Sequence, residues 1–372
     1  MPVPGKLDAW LITRYDDVLQ ALKNERLAKN RLNALTPEQN RKQPWVPKSF
    51  QPLTRNMLDL DAPDHTRLRA LVHKAFTPRL VEAMRERAES ITDGLLAAAE
   101  RSGRMDLIRD YALPLPTTII AEMLGVPPDE RHRFHRWSSA IVSMDFSKWA
   151  MLTAIPSVMA FLRYIRTLVR LRRADPRDDL LSALVSAEES GQQLDEDELL
   201  AMVFLLLIAG HETTVNLIGN GTLALLRHPD QMTLLRDSPA LIKPAVEELL
   251  RYESPIEIAT ERYAREDIVV AGQVIPRGAT VLAVLASANR DEHQFGRPDT
   301  LDITREDNRH LAFGLGVHYC LGAPLARLEG QIAINALLRR MPRLKLGVSP
   351  ENLRWRRGLV LRGLEALPVT WG

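Results

Sequence analysis

A mainly α fold, a single helical domain over residues 1–372 with small β-sheets, is what the sequence predicts. Three observations lead there. From Leu80 to Arg173 apolar residues recur at helical spacing, with breaks only at Ser102-Gly103, Pro114 to Pro116 and Val126-Pro-Pro-Asp129. From Asp195 to Arg227 the helical pattern is unbroken, and at about 1.5 Å per residue it spans roughly 50 Å, the width of a domain. Strand signals are confined to short segments near the start and between Ile268 and Leu285.

Composition narrows the function classes. Lys+Arg 49 against Asp+Glu 47 leaves a net charge of +2, so no global field points to nucleic acid or an anionic membrane. The single cysteine excludes an internal disulfide framework and any zinc site built from several thiolates. Met1-Pro-Val-Pro-Gly-Lys lacks the basic start and apolar core of a signal peptide. The longest apolar run, Leu199 to Gly210, stops at His211-Glu212, short of the roughly 20 residues of a membrane span. The expectation is a soluble, cytoplasmic monomer.

In chain order, Trp10 to Thr13 reads as a strand and Tyr15 to Leu22 as a helix with Asp16 and Asp17 at its start. Residues 31–57, with Pro37, Pro44, Pro47 and Pro52, read as a long loop in which Trp45 and Phe50 are the apolar contacts. Asp61 to Phe76 is a helix with Pro63 in its first positions, closed by Thr77-Pro78. His65 and Arg69, four apart, share one face of it. Gly125 stops the helix ending at Met123. Asp195 with Glu198 three residues on forms a capping box for the long helix, which Pro229 terminates. Ile268 to Ile275 is a hairpin turning at Ala271-Gly272, Thr280 to Leu285 is another strand, and Ala323 to Leu338 is a helix. Two short strands around Gly363 are expected between Leu359 and Val369.

Three motifs carry chemistry. In Phe313-Gly-Leu-Gly-Val-His-Tyr-Cys320-Leu-Gly322 the only cysteine sits among glycines and runs into a helix. Backbone N–H groups of a turn and a helix N-terminus stabilise a thiolate and lower its pKa from about 8.5, as a metal ligand needs. Gly314, Gly316 and Gly322 suit a tight turn that a flat ligand can approach, and Phe313 would cover the sulfur. Ala209-Gly210-His211-Glu212-Thr213-Thr214 places an acid and an alcohol inside an apolar helix, where a carboxylate needs a partner or a use. Glu248 and Arg251 lie one turn apart, a spacing that by itself is commonly a weak surface pair.

Together these motifs resemble the cytochrome P450 family, through Phe-x-x-Gly-x-His-x-Cys-x-Gly, Ala-Gly-x-Glu-Thr-Thr and Glu-x-x-Arg in consistent order. The resemblance implies a helical domain with small sheets enclosing haem b, with Cys320 as proximal iron ligand. It implies that Phe313, Gly314, Gly322, Ala209 and Gly210 surround the haem, Gly210 letting the helix bulge for dioxygen. His65, Arg69, Arg262 and His318 would hold its propionates. Glu212 would relay protons and Thr213 donate a hydrogen bond for O–O cleavage. Ile256, Glu257, Ile258 and Ala259 would line the substrate pocket, with Glu257 either facing a cationic or hydroxylated substrate group or turned to solvent. Trp137, Met144, Phe146, Trp149 and Met151 are further contact candidates.

Glu248 and Arg251 would hold the haem loop. Their usual third member, an arginine, is replaced by Thr300, with Arg297 or Arg309 as substitutes. The implied activity is hydroxylation of an apolar C–H bond of a small organic substrate by O2. Its electrons would come from a separate ferredoxin or flavodoxin with an NAD(P)H reductase, docking near Arg67, Lys74 and Arg327. A peroxide-driven peroxygenase and a non-catalytic haem-binding protein are the alternatives. Members of the family usually begin earlier, so the N-terminus reads as short.

Overall fold

The computed structural model describes all residues except 1, 4–6, 37, 39–55, 143–147 and 190–193. Its helices are α1 Tyr15–Lys23, α2 Asp64–Ala75, α3 Pro78–Ala83, α4 Arg85–Glu100, α5 Pro114–Met123, α6 Arg131–Val142, α7 Lys148–Ala174, α8 Leu180–Glu189, α9 Glu196–Arg227, α10 Pro229–Asp237, α11 Ile242–Tyr252, α12 Leu285–Ala288 and α13 Ala323–Arg340. The strands are β1 Pro2–Val3, β2 Leu7–Ile12, β3 Leu27–Ala28, β4 Arg104–Asp106, β5 Arg262–Ala264, β6 Ile268–Val270, β7 Gln273–Ile275, β8 Thr280–Ala283, β9 Lys345–Leu346 and β10 Pro368–Thr370. The chain divides into two compact units. Met1–Pro44, Ala88–Ala112 and Thr213–Gly372 form the first, Trp45–Arg87 and Leu113–Glu212 the second.

All the described sheets belong to the first unit. The largest runs β1-β2-β8-β5-β3, with β2 parallel to β8 and the remaining pairs antiparallel. Each residue of β8 is buried, as expected of a strand with neighbours on both sides. Against it α1 packs Tyr15, Val18 and Leu22, joined by Val281, Leu285 and Phe295. The β6–β7 hairpin turns on Ala271 and Gly272, both at positive φ, the two-residue turn whose twist matches a hairpin. A second core gathers Leu217, Leu225, Val246, Leu249 and Ile334 from α9, α11 and α13. There α13 approaches α9 so closely that a Cβ on Gly330 would lie 2.8 Å from Leu217 Cδ2.

Helices alone make up the described part of the second unit. Leu68, Leu71 and Val72 of α2 are buried, and Phe161 of α7 meets Phe134 of α6 and Phe204 of α9 at ring distances of 5.8 and 6.1 Å. Gly125, at φ +69°, ends α5, and its carbonyl accepts from Arg172 Nη2 at 2.7 Å while Arg172 Nε donates to Asp179 at 2.5 Å. The capping box forms as the sequence predicts: Glu198 N–H donates to Asp195 Oδ1 at 2.7 Å and Asp195 N–H to Glu198 Oε2 at 3.1 Å.

Four local expectations change. Thr77 does not close α2 alone but caps α3, its hydroxyl accepting from Leu80 N–H at 3.2 Å. Strand β4 and a π-turn at Ile108–Ala112 appear where helix was expected to resume. The tail around Gly363 makes isolated bridges instead of two strands, Ile256 with Leu361 and, within the tail itself, Trp355 with Leu364, where Arg356 N–H donates to Gly363 O at 2.8 Å. Helix α9 has an 18-residue window of mean hydropathy 1.6, long and apolar enough to cross a membrane, unlike the shorter run read from the sequence. That window is 61% buried inside the protein, the burial of a core helix.

Candidate functional site

The cysteine loop in the first unit is built by backbone geometry. Gly314 N–H donates to Leu311 O at 2.8 Å and Cys320 N–H to Phe313 O at 2.9 Å, closing the loop on itself. Gly314 and Gly316 take φ +67° and +76°, a conformation that strains any residue with a Cβ. Gly322 differs from expectation: at φ −79° it is the N-cap of α13, and its use is space, since a Cβ there would stand 4.0 Å from the sulfur. Cys320 is exposed at the entrance of this eighteen-residue helix. Amide dipoles there favour the thiolate. The ring of Phe313 lies 4.5 Å below the Arg327 guanidinium and 6.4 Å from the Tyr319 ring.

Glu248 and Arg251 are fully buried, and their network is a hub rather than a surface pair. Arg251 Nε and Nη2 donate to the two carboxylate oxygens at 2.8 Å each. The remaining Arg251 donors reach the carbonyls of Asn289, Pro298 and Thr300. The third member is Arg305, whose Nε donates to Glu248 Oε2 at 3.1 Å. Neither proposed substitute fills the place: Arg309 pairs with Asp307, and Arg297 contributes only its carbonyl, to Arg305. Asp302 N–H and Asn308 Nδ2 complete the carboxylate's shell at 3.0 and 3.2 Å.

Arg262 lies buried on β5, and its Nη1 donates to Thr260 O at 3.4 Å. Beside it is a cation that the sequence reading missed. Lys29, 5% exposed, donates to Thr260 Oγ1 at 2.6 Å and Glu261 O at 2.8 Å. His318 ends a 3₁₀ turn, Gly316–His318. Ile256 to Ala259 form an extended wall, bridged to Leu361 and Val284. Within it the Glu257 carboxylate accepts from Arg362 Nη1 at 3.4 Å. Arg362 is also held by Glu253 at 2.9 Å and stacks 3.9 Å over Trp355. Glu257 therefore faces an internal cation.

In the second unit His65 and Arg69 share a face of α2. Burial, and then the Arg69 charge, hold His65 below its ordinary pKa, so its ring is neutral around pH 7. On α9, Ala209 is exposed, Gly210 and Thr213 are half-buried, and Glu212 is 7% exposed. His211 is turned inward at 1% exposure, with Nδ1 2.8 Å from Leu207 O, one turn back. The helix stays α-helical through Gly210 without a bulge, and a Cβ there would meet Ile120 Cδ1 at an ordinary 3.7 Å. Trp137 packs on Tyr164 at 5.4 Å. Trp45, Phe50, Met144 and Phe146 lie outside the described residues, as do the side chains of Trp149 and Met151.

An exposed thiol in a glycine-lined turn at a helix mouth, in a unit that also holds the buried cation Arg262 on β5, fits a flat metal macrocycle that carries carboxylates. Among the described residues no three His, Cys, Asp or Glu side chains could hold a metal ion together. A single cysteine ligand suits an iron that brings its other ligands with it, the haem-thiolate arrangement.

Comparison with known proteins agrees. The cytochrome P450 family model matches residues 164–238 and 239–360. The polyketide biosynthesis cytochrome P450 PksS of Bacillus subtilis (strain 168) is 46% identical over 362 residues, 97% of this chain and 89% of that protein. Cytochrome P450 monooxygenase PikC of Streptomyces venezuelae is 46% identical over 367 residues, 98% of this chain and 85% of that protein. The solved structure of PksS superposes with a TM-score of 0.93 at 44% identity, covering 100% of this chain and 92% of that one. The chain belongs to the cytochrome P450 family. It is a monooxygenase of that family, with haem b as its cofactor.

Proposed function

We propose that the protein hydroxylates an apolar C–H bond of a small organic molecule, with Cys320 as the iron ligand. One observation carries this reading: the chain's only cysteine is exposed at the entrance of α13, in a loop turned by two positive-φ glycines. When bound, the haem supplies the activation of O2. The residues of the chain do the rest. Cys320 would lend electron density to the iron, Arg262, His318, His65 and Arg69 would hold the propionates, and the Glu248 hub fixes the chain at Asn289, Pro298 and Thr300. Glu212 would relay protons from solvent, and the Thr213 hydroxyl would donate a hydrogen bond for O–O cleavage. Residues Ile256 to Ala259 present an apolar wall to substrate, with Glu257 neutralised by Arg362.

The name of PksS places that protein in polyketide biosynthesis, which supports a bulky, largely apolar natural product as substrate class. Electrons come from a separate ferredoxin or flavodoxin and its NAD(P)H reductase, in the cytoplasm. The test is spectroscopic. The reduced protein treated with carbon monoxide shows the red-shifted thiolate Soret band, and Cys320→Ser abolishes it; persistence of that band in the variant refutes the assignment. Thr213→Ala separates oxygenase from peroxygenase, because only an oxygenase then consumes NAD(P)H without matching product.

A further inference from the structure

We propose that Glu247 is a positioning residue that neutralises Arg327 beneath the cysteine loop and so sets how easily the bound iron is reduced. The inference rests on Cys320 being the ligand. Glu247 precedes Glu248 on α11, but its carboxylate serves a separate group. Oε1 accepts from Arg327 Nε at 2.7 Å, and Oε2 from Arg327 Nη2 at 2.8 Å and His310 Nε2 at 3.1 Å. This is a two-pronged pair, the strongest geometry available to a carboxylate and an arginine. The tautomer of His310 is fixed by a second contact. Ala312 N–H donates to its Nδ1 at 3.2 Å, so the proton sits on Nε2 and the imidazole is an uncharged donor. One anion and one cation remain, and the group is neutral.

That neutrality matters because of where Arg327 reaches. Its Nη1 donates to Tyr319 Oη at 3.1 Å, and its guanidinium lies 4.5 Å over the Phe313 ring. Tyr319 immediately precedes Cys320, and the Phe313 carbonyl accepts the Cys320 N–H at 2.9 Å. The guanidinium therefore grips both strands of the loop. Burial would raise the Glu247 pKa, but hydrogen bonds from His310 and Arg327, with the Arg327 charge, hold it below the ordinary carboxylate value, so the anion persists at neutral pH. Without the carboxylate, a half-buried cation would face the loop uncompensated. One-electron reduction makes the iron and thiolate together more negative, so that cation would favour the reduced state. Removing the arginine instead would leave a lone carboxylate and oppose reduction.

Opposite signs separate this from simple loosening of the loop. Glu247 borders a surface groove of about 680 Å³ shared with Arg305 and Arg309, which leaves room for an amide. The experiment measures the ferric/ferrous midpoint of the haem-loaded protein by spectroelectrochemistry in wild type, Glu247→Gln, Arg327→Gln and the double variant. Expected are a positive shift, a negative shift and a return toward wild type, with the carbon-monoxide band of the thiolate retained. Shifts of the same sign, no shift, or a double variant displaced beyond both singles would overturn the proposal. Should Glu247→Gln not take up haem, Arg327→Gln and the double variant still decide the sign. A wild type lacking the thiolate band would instead defeat the reading of Cys320 itself.

Discussion

Glu248 accepts hydrogen bonds from Arg251, Arg305, Asn308 and Asp302, and both its side chain and that of Arg251 are completely inaccessible to water. A charge in that position is tolerable only while its partners are present, because desolvation of an ion costs several kcal/mol and the ion pair offsets it. Glu248→Gln leaves two guanidinium groups short of an anion. It is expected to cost about 3–5 kcal/mol in denaturant unfolding, against about 0–1 kcal/mol for an exposed pair such as Arg26 with Glu266. An equal, small loss at both sites would show that burial does not govern this network.

At the scale of an element, α13 carries a second buried carboxylate with a different fate. Glu329 is 1% exposed and its Oε2 has no hydrogen-bond partner among the described residues. Burial alone raises its pKa from an ordinary 4.5 to about 8. The sign of the consequence follows from proton counting. Between pH 4.5 and about 8 the folded protein holds a proton here that the unfolded chain has lost, so stability falls as pH rises through that window and stays low above it. Glu329→Gln removes the group that titrates. The variant is expected to match wild type near pH 5 and to exceed its melting temperature by several degrees at pH 8 to 9. Parallel melting curves across that range would contradict a buried, proton-holding acid.

For the molecule as a whole, the charge balance of +2 comes with local pairing of the cations expected to attract a redox partner. Arg67 binds Glu198, and Arg327 binds Glu247. Reduction by an acidic ferredoxin is still expected to slow with salt, but only several-fold between about 0.01 M and 1 M, where the Debye length contracts from about 30 Å to 3 Å. Stopped-flow reduction over a salt series measures it. A rate indifferent to salt would remove charge from the docking step.

The sequence by itself determined what is local or periodic. Helix spans, the Asp195–Glu198 box, the Ala271-Gly272 turn and the glycine loop around Cys320 depend on neighbours within a few positions, so residue order specifies them. The candidate iron ligand was legible for the same reason, and because the chain has only one cysteine. Tertiary structure alone decided the partners of the charges. Arg305 rather than Arg297 or Arg309 joins Glu248, Lys29 reaches Thr260 across 231 positions, Arg362 meets Glu257 across 105, and Arg327 meets Glu247 across 80. A long side chain can serve any acid within reach. Which acid that is depends on how the backbone folds back on itself, and no spacing along the chain encodes it.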